Sequence, residues 1–230
     1  MDPLARRARA VHRRLLAFYG PAVWRRPLPP LDEVISTILS QNTNDANRDR
    51  AFAALRAGFP SWEAVRDAPR RSVVAAIRTA GLAQQKAPRL QGFLRAVTAE
   101  RGGLDLDFLR RLPPEEVHAW LRRFPGVGPK TTAIVMLFSL DMPAFPVDTH
   151  IHRVTGRLGL RPSQASPEKS HDLLSRLFRP VEYKDAHLNL IRLGREICRA
   201  RRPDCDRCPL AEMCEYYRTV VRPNRPRRGP

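Results

Sequence analysis

Lys130 closes the run Phe124-Pro125-Gly126-Val127-Gly128-Pro129-Lys130 and stands at the head of an apolar helical stretch that begins at Thr131. The positive end of a helix macrodipole disfavours an ammonium and favours the neutral amine. A neutral amine is a nucleophile toward carbon, a sugar carbon included. The same position suits a lysine that only contacts phosphate. Asp148, in Pro146-Val147-Asp148-Thr149-His150-Ile151-His152-Arg153, precedes another helical stretch. An aspartate there serves as an N-cap. Held beside a reacting sugar, it would also stabilise an oxocarbenium-like cation and help deprotonate an attacking amine.

Cys198, Cys205, Cys208 and Cys214 are the only cysteines, spaced C-x6-C-x2-C-x5-C. Four thiols so close together, with no sign of an oxidising compartment, point to a metal. Thiolate softness and tetrahedral preference suit both zinc and an iron–sulfur cube, and the spacing alone leaves the two open. Arg199, Arg201, Arg202 and Arg207 lie among these ligands and could present cationic loops to phosphate.

The elements that must position these groups are helical. Leu4, Ala8, Val11, Leu15 and Phe18 form an N-terminal stripe closed by Gly20-Pro21, which argues for a structural helix rather than a transit peptide. Val34, Ile35, Ile38 and Leu39 make a second apolar face, and Asp45 can cap a helix bearing Phe52 and Leu55. Short helices are expected over Ser61 to Asp67 and Arg71 to Ala80, the latter closed by Gly81. A longer one runs from Lys86 to Glu100 and ends at Gly102-Gly103, and another opens at Pro113-Pro114. The apolar stretch from Thr131 to Leu140 reads as a helix buried at the centre of a domain. Further helices follow from Thr149, Pro167 and Tyr183, and no convincing strand alternation occurs. The fold class is all-α. From Arg218 to Pro230 five Arg and three Pro without an acid predict a disordered basic tail.

Gly126 and Gly128 turn the chain between the amphipathic stretch of Val117, Trp120, Leu121 and Phe124 and the apolar helix, giving a helix-hairpin-helix. Glycine lets such a turn take angles a side chain would obstruct and lets amide N–H groups approach a phosphate. Lys and Arg total 41 against 23 acids, a formal charge of +18 that suits a polyanionic partner. No apolar run reaches the roughly 20 residues of a membrane span. A cytoplasmic, nucleoid-associated monomer without a membrane partner is expected. Trp24, Trp62 and Trp120 read as packing groups. His150 and His152 are candidates for phosphate contact, against surface or packing roles.

From about Leu31 to Tyr216 the sequence resembles the endonuclease III family of helix-hairpin-helix DNA glycosylases. The resemblance rests on Pro125-Gly126-Val127-Gly128-Pro129-Lys130-Thr131, on Val147-Asp148-Thr149-His150-Ile151-His152-Arg153 and on the cysteine spacing, in that order. It implies a six-helix barrel over residues 32–141 and an iron–sulfur domain from 1–31 and 142–217, with a substrate cleft between them and a [4Fe-4S] cluster on Cys198, Cys205, Cys208 and Cys214. Lys130 would be the Schiff-base nucleophile and Asp148 its catalytic partner. The duplex DNA partner, carrying damaged bases or abasic sites, would be met by Gly126, Val127, Gly128, Thr131 and His150. A flipped nucleotide's gap would be filled from Leu39-Ser40-Gln41-Asn42-Thr43-Asn44-Asp45, through Gln41 or Asn42, and from Ala80-Gly81-Leu82 through Leu82. The implied activity is removal of oxidised pyrimidines with β-elimination at the abasic site. Alternatives are a related glycosylase for mismatched or alkylated bases and a DNA-binding iron–sulfur protein without catalysis. The order Ser40-Gln41-Asn42, Pro129 before the lysine and Arg122 depart from the familiar bacterial pattern. A cation near Lys130 either favours the neutral amine further or weakens the proton network.

Overall fold

Proline and glycine set the helix ends along the chain, and the computed structural model, which describes residues 2–23 and 27–224, places the helices between them. It is 69% helical, with no strand among the described residues. Contacts divide the chain into two units, Arg26–Met142 and the combination of Met1–Arg25 with Pro143–Pro230.

The second of these begins with helix α1 (Pro3–Tyr19), capped by Asp2 and ended by Gly20. Its buried face is Ala5, Ala8, Val11, His12 and Leu15. Leu4 and Phe18, expected on that stripe, are 41% and 50% exposed instead. They stand at the two ends of α1, outside the buried run from Ala5 to Leu15.

The unit Arg26–Met142 is built from α2 (Pro30–Ser40), α3 (Asp45–Gly58), α4 (Trp62–Asp67), α5 (Arg70–Ala76), α6 (Ala83–Arg101), α7 (Pro114–Arg122) and α8 (Pro129–Ile134). Helix α2 is buried along nearly its whole length and packs on α3, α6 and α8. Helix α8 continues into a π-helical turn at Val135–Ser139, and all of Thr131–Leu140 is buried. A helix apolar on every side has to sit inside a core, as the sequence of this stretch requires. The cap of α3 is Asn44, whose side chain accepts from the Asn47 N–H, and not Asp45, which is the first helical residue. Two adjacent capping residues compete there, and an aspartate inside the first turn still favours the macrodipole.

In the other unit α9 (Thr149–Arg157), α10 (Pro167–Leu177) and α11 (Tyr183–Glu196) join α1. Helix α11 packs on α9 and α1, and α10 on α1 and α9. The approach of α9 to α11 is close at Gly194, where an added Cβ would stand 2.9 Å from the His150 Cβ. The cysteine segment comes next as single 3-10 turns, Cys205–Arg207 and Ala211–Met213. The expected disordered tail is corrected at its start. Residues Tyr217–Val221 form a π-helical turn and 222–224 a further turn, with the Arg222 N–H donating to the Tyr217 carbonyl. Residues 225–230 of that tail, and Trp24, lie outside the described residues.

Candidate functional site

Lys130 is the second residue of α8, immediately after the hairpin. It is half-buried, and among the described residues its ammonium has no hydrogen-bond or ion-pair partner. The turn before it depends on one glycine and not two. Gly126 has φ +90°, whereas Gly128 has φ −84° and ψ 179°, extended backbone open to any residue. At Gly126 a side chain would also meet the Arg89 side chain at 3.4 Å. Val127 and Thr131 are buried, 2% and 3% exposed, and the Val127 N–H donates to the Phe124 carbonyl at 3.0 Å, so neither side chain is open to a ligand. The Arg122 guanidinium folds back on the hairpin, its Nη1 donating to the Val127 carbonyl at 3.5 Å.

Asp148 caps α9, its Oδ1 accepting from the Ile151 N–H at 2.7 Å. Among the described residues Oδ2 has no partner. His150 is half-buried with Nδ1 3.2 Å from Arg153 Nη2. His152 is a packing group, with Nε2 2.9 Å from the Ala165 carbonyl and Nδ1 3.1 Å from Arg161 Nη2. Arg161 is 9% exposed and donates to the carbonyls of His152, Pro162 and Ala165.

The loop after α2 separates its two candidate side chains. Gln41 is half-buried, its Nε2 donating to the Gly126 carbonyl at 3.1 Å and its Oε1 accepting from Arg89 at 3.4 Å. It is therefore a strut between loop and hairpin. Asn42 is exposed at φ +52° and Leu82 is 47% exposed at φ +50°, each at the tip of a turn. Behind both tips lies a group that periodicity missed. Lys86 on α6 is 1% exposed and donates to the carbonyls of Leu39 at 2.7 Å and Ala80 at 2.8 Å. Burial pushes its pKa down to about 8. Trp62 is buried, and Trp120 packs on Phe108 and Phe124 while its indole N–H donates to Glu100.

All four cysteines are free of disulfides and line one pocket together with Arg157 and Tyr216. No three His, Cys, Asp or Glu among the described residues are gathered to hold one ion. A cavity ringed by four thiols fits a multi-iron cluster. Two arginines one turn apart on α9 hold the segment, a second signal the sequence carried unread. Arg153 donates to the carbonyls of Cys198 and Gly194. Arg157 donates to the Cys198 sulfur at 3.4 Å and to the carbonyls of Arg199 and Ala200, and lies over the Tyr216 ring. The Cys214 thiol donates to the Arg157 carbonyl at 3.3 Å. Arg7 of α1 reaches the Met213 carbonyl at 2.6 Å. Arg199, Arg201, Arg202 and Arg207 are exposed.

A helical unit with a glycine hairpin feeding a lysine-headed helix, joined in one chain to a unit carrying four clustered cysteines, defines a helix-hairpin-helix iron–sulfur protein. Residues 35–180 match the HhH-GPD superfamily of base excision DNA repair proteins, to which the chain belongs. Residues 198–214 match the iron–sulfur binding domain of endonuclease III, and the four cysteines are the ligands of its [4Fe-4S] cluster. Endonuclease III of Thermotoga maritima is 32% identical over 189 residues, covering 82% of this chain and 84% of its own length. A protein of Arabidopsis thaliana classed with the DNA glycosylases is 44% identical over 146 residues, 64% of this chain. The chain spans 50% of the length of that plant relative. A solved structure of a trapped endonuclease III–DNA covalent intermediate superposes with a TM-score of 0.82 at 25% identity, over 94% of this chain and 98% of that one.

Proposed function

We propose that the chain is a bifunctional glycosylase and abasic-site lyase that removes oxidised pyrimidines from duplex DNA. The observation that carries the reading is Lys130 itself, half-buried at the N-terminal end of α8 directly after the hairpin, with its amine unengaged among the described residues. The neutral Nζ attacks C1′, the bond from C1′ to the base breaks, and the base leaves with a proton. Transfer of the one remaining amine proton to O4′ opens the sugar ring and gives an imine between Nζ and C1′. Removal of a C2′ proton then expels the 3′ phosphate by β-elimination. Asp148 supports this through its unengaged Oδ2, which stabilises the cationic sugar and takes up the amine proton. The hairpin amides before α8 suit a backbone phosphate, and the +18 charge suits the duplex. The covalent DNA complex formed by the structural neighbour supports a covalent mechanism in this chain. Asn42 and Leu82 are the side chains that fill the gap left by the extruded nucleotide, with Gln41 reserved for the hairpin.

Borohydride reduces an imine to a stable amine, so the wild-type chain is expected to crosslink to a thymine glycol or abasic duplex. Lys130→Ala is expected to bind the duplex without crosslinking. Equal crosslinking by Lys130→Ala removes Lys130 from the mechanism, and binding without any wild-type product favours a DNA-binding iron–sulfur protein. A panel of oxidised, mismatched and alkylated bases separates the substrate classes.

A further inference from the structure

The unit Arg26–Met142 contains a cation whose burial needs a reason. Lys86 is 1% exposed, and no carboxylate among the described residues pairs with it. If packing were the only requirement, an apolar side chain of the same length would meet it without removing a charge from water. The ammonium instead meets two carbonyls, Leu39 at 2.7 Å and Ala80 at 2.8 Å. Those carbonyls lie 47 and 6 residues away in the chain. Each belongs to the closing turn of a helical segment, α2 and the single 3-10 turn Arg78–Ala80, where backbone acceptors have no intrahelical donor. One cation therefore completes two helix C-terminal ends.

Beyond each end the chain enters a turn with left-handed backbone. Gln41 and Asn42 come after the first, with Asn42 at φ +52°, and Gly81 and Leu82 come after the second, at φ +68° and +50°. A left-handed leucine is held in place by its surroundings and not by its own preference. The first turn is also tied to the hairpin, through Gln41 to the Gly126 carbonyl.

We propose that Lys86 is a positioning residue that locks the two turn tips to each other, so that Asn42 and Leu82 enter a duplex as one body with a fixed separation. This rests on the base-extrusion reading given above. Lys86 touches no substrate. Its work is done by holding two carbonyls, and through them two tips, at one distance. A single-stranded abasic oligonucleotide has no stack to open or gap to fill, so its reaction with Lys130 does not call on the tips.

The test compares borohydride crosslinking rates on duplex and single-stranded abasic DNA, using the intact cluster-loaded chain. In Lys86→Met, which keeps the length and removes the donors, the duplex rate is expected to fall about 10-fold or more. The single-strand rate is expected to stay within about 2-fold of wild type. An equal fall on both substrates overturns the proposal, because general loosening would not distinguish them. Should Lys86→Met lose its helical signal, a cycle in the otherwise wild-type chain decides. Asn42→Ala and Leu82→Ala are expected to be coupled on the duplex, the double variant losing less than the product of the two single losses by about 3-fold. Independent effects overturn the proposal. A wild-type chain that crosslinks to neither substrate overturns the lyase reading and this proposal with it, a result distinct from selective failure of the variant.

Discussion

Asp148 is both a cap and a candidate participant in chemistry, and substitution can separate the two roles. Its Oδ1 accepts the Ile151 N–H at 2.7 Å at the head of α9. Replacement by alanine removes the cap, at a cost of about 1 kcal/mol. For a chain of this size that lowers the melting temperature by about 2–4 °C. Replacement by asparagine keeps an acceptor in the same place and loses only the attraction of a negative charge to the macrodipole, about 0.3–1 kcal/mol. The chemical consequences run differently. Without a carboxylate, neither variant can stabilise the cationic sugar or accept the amine proton, a loss of about 100-fold or more in single-turnover rate. Asp148→Asn is therefore expected to melt close to wild type, bind a lesion duplex and excise about 100-fold more slowly. Asp148→Ala should melt lower with a similar rate. The assays are far-UV circular dichroism at a fixed scan rate and single-turnover excision with enzyme in excess. An Asp148→Asn protein that excises within about 3-fold of wild type would leave Asp148 as a cap only, with no part in the chemistry.

Three further outcomes rest on named contacts. Gly156→Ala would put a Cβ 2.8 Å from Arg161 Nη2, a group fixed by its 2.6 Å bond to the His152 carbonyl. It should destabilise by about 1–3 kcal/mol, read by urea denaturation, and a neutral result would mean that Arg161 moves freely. Lys86 carries a pH signature. Its pKa falls from 10.5 to about 8 on folding, so between those values the unfolded chain holds a proton that the folded chain lacks. Stability contributed at this site therefore rises with pH across that window, by at most about 1.4 kcal/mol per unit. Tyr19, held up at about 12 by burial first and then by Glu196, acts in the opposite sense only above its ordinary 10. The stability of wild type minus that of Lys86→Met should rise from pH 8 to 10, and a difference independent of pH would show that the ammonium is not perturbed. Iron removal should loosen the cysteine segment first. From Cys205 to Cys214 only Leu210 is buried, so this stretch has little apolar burial of its own to hold it. Limited proteolysis of the iron-depleted chain should cut within 198–217 before the helices of Arg26–Met142, and uniform cutting would contradict this.

Helix positions were legible because glycine and proline punctuate this sequence densely. Gly20, Gly81 and Gly102 each stand at a helix end with positive φ, and Pro30, Pro114, Pro129 and Pro167 each stand in a first turn. The hairpin was legible from its glycines and the cysteine segment from the spacing of its four thiols, both local signals. Contacts between distant segments could not be read. Lys86 is unremarkable within α6, since nothing nearby says that two carbonyls await it. Gln41 and Asn42 are adjacent amides, and only the position of Gly126 divides them into strut and tip. Arg153 and Arg157 are four apart and so share a face of α9, a pattern visible in sequence, but the partner of that face depends on the path of the chain after α11.

The residues assigned to chemistry and to the turn tips share one structural address. Lys130 is in the first turn of α8, Asp148 caps α9, Leu82 immediately precedes α6, and Asn42 lies two residues beyond α2. Helix ends leave backbone groups unsatisfied, so they must be completed by side chains or by ligands. They also put side chains at the edge of the packed core, where exposure is possible without loss of position. On the proposed mechanism, the structural role of each residue is one part of its work. Asp148 caps a helix through one oxygen, and that bond aims the other. Lys86 completes two helix ends, and the same two bonds set the distance between the tips beyond them. In such a design the residues inside the helices determine whether the chain folds. Those at the helix ends determine what the folded chain can do, and substitutions there are expected to change rate more than stability.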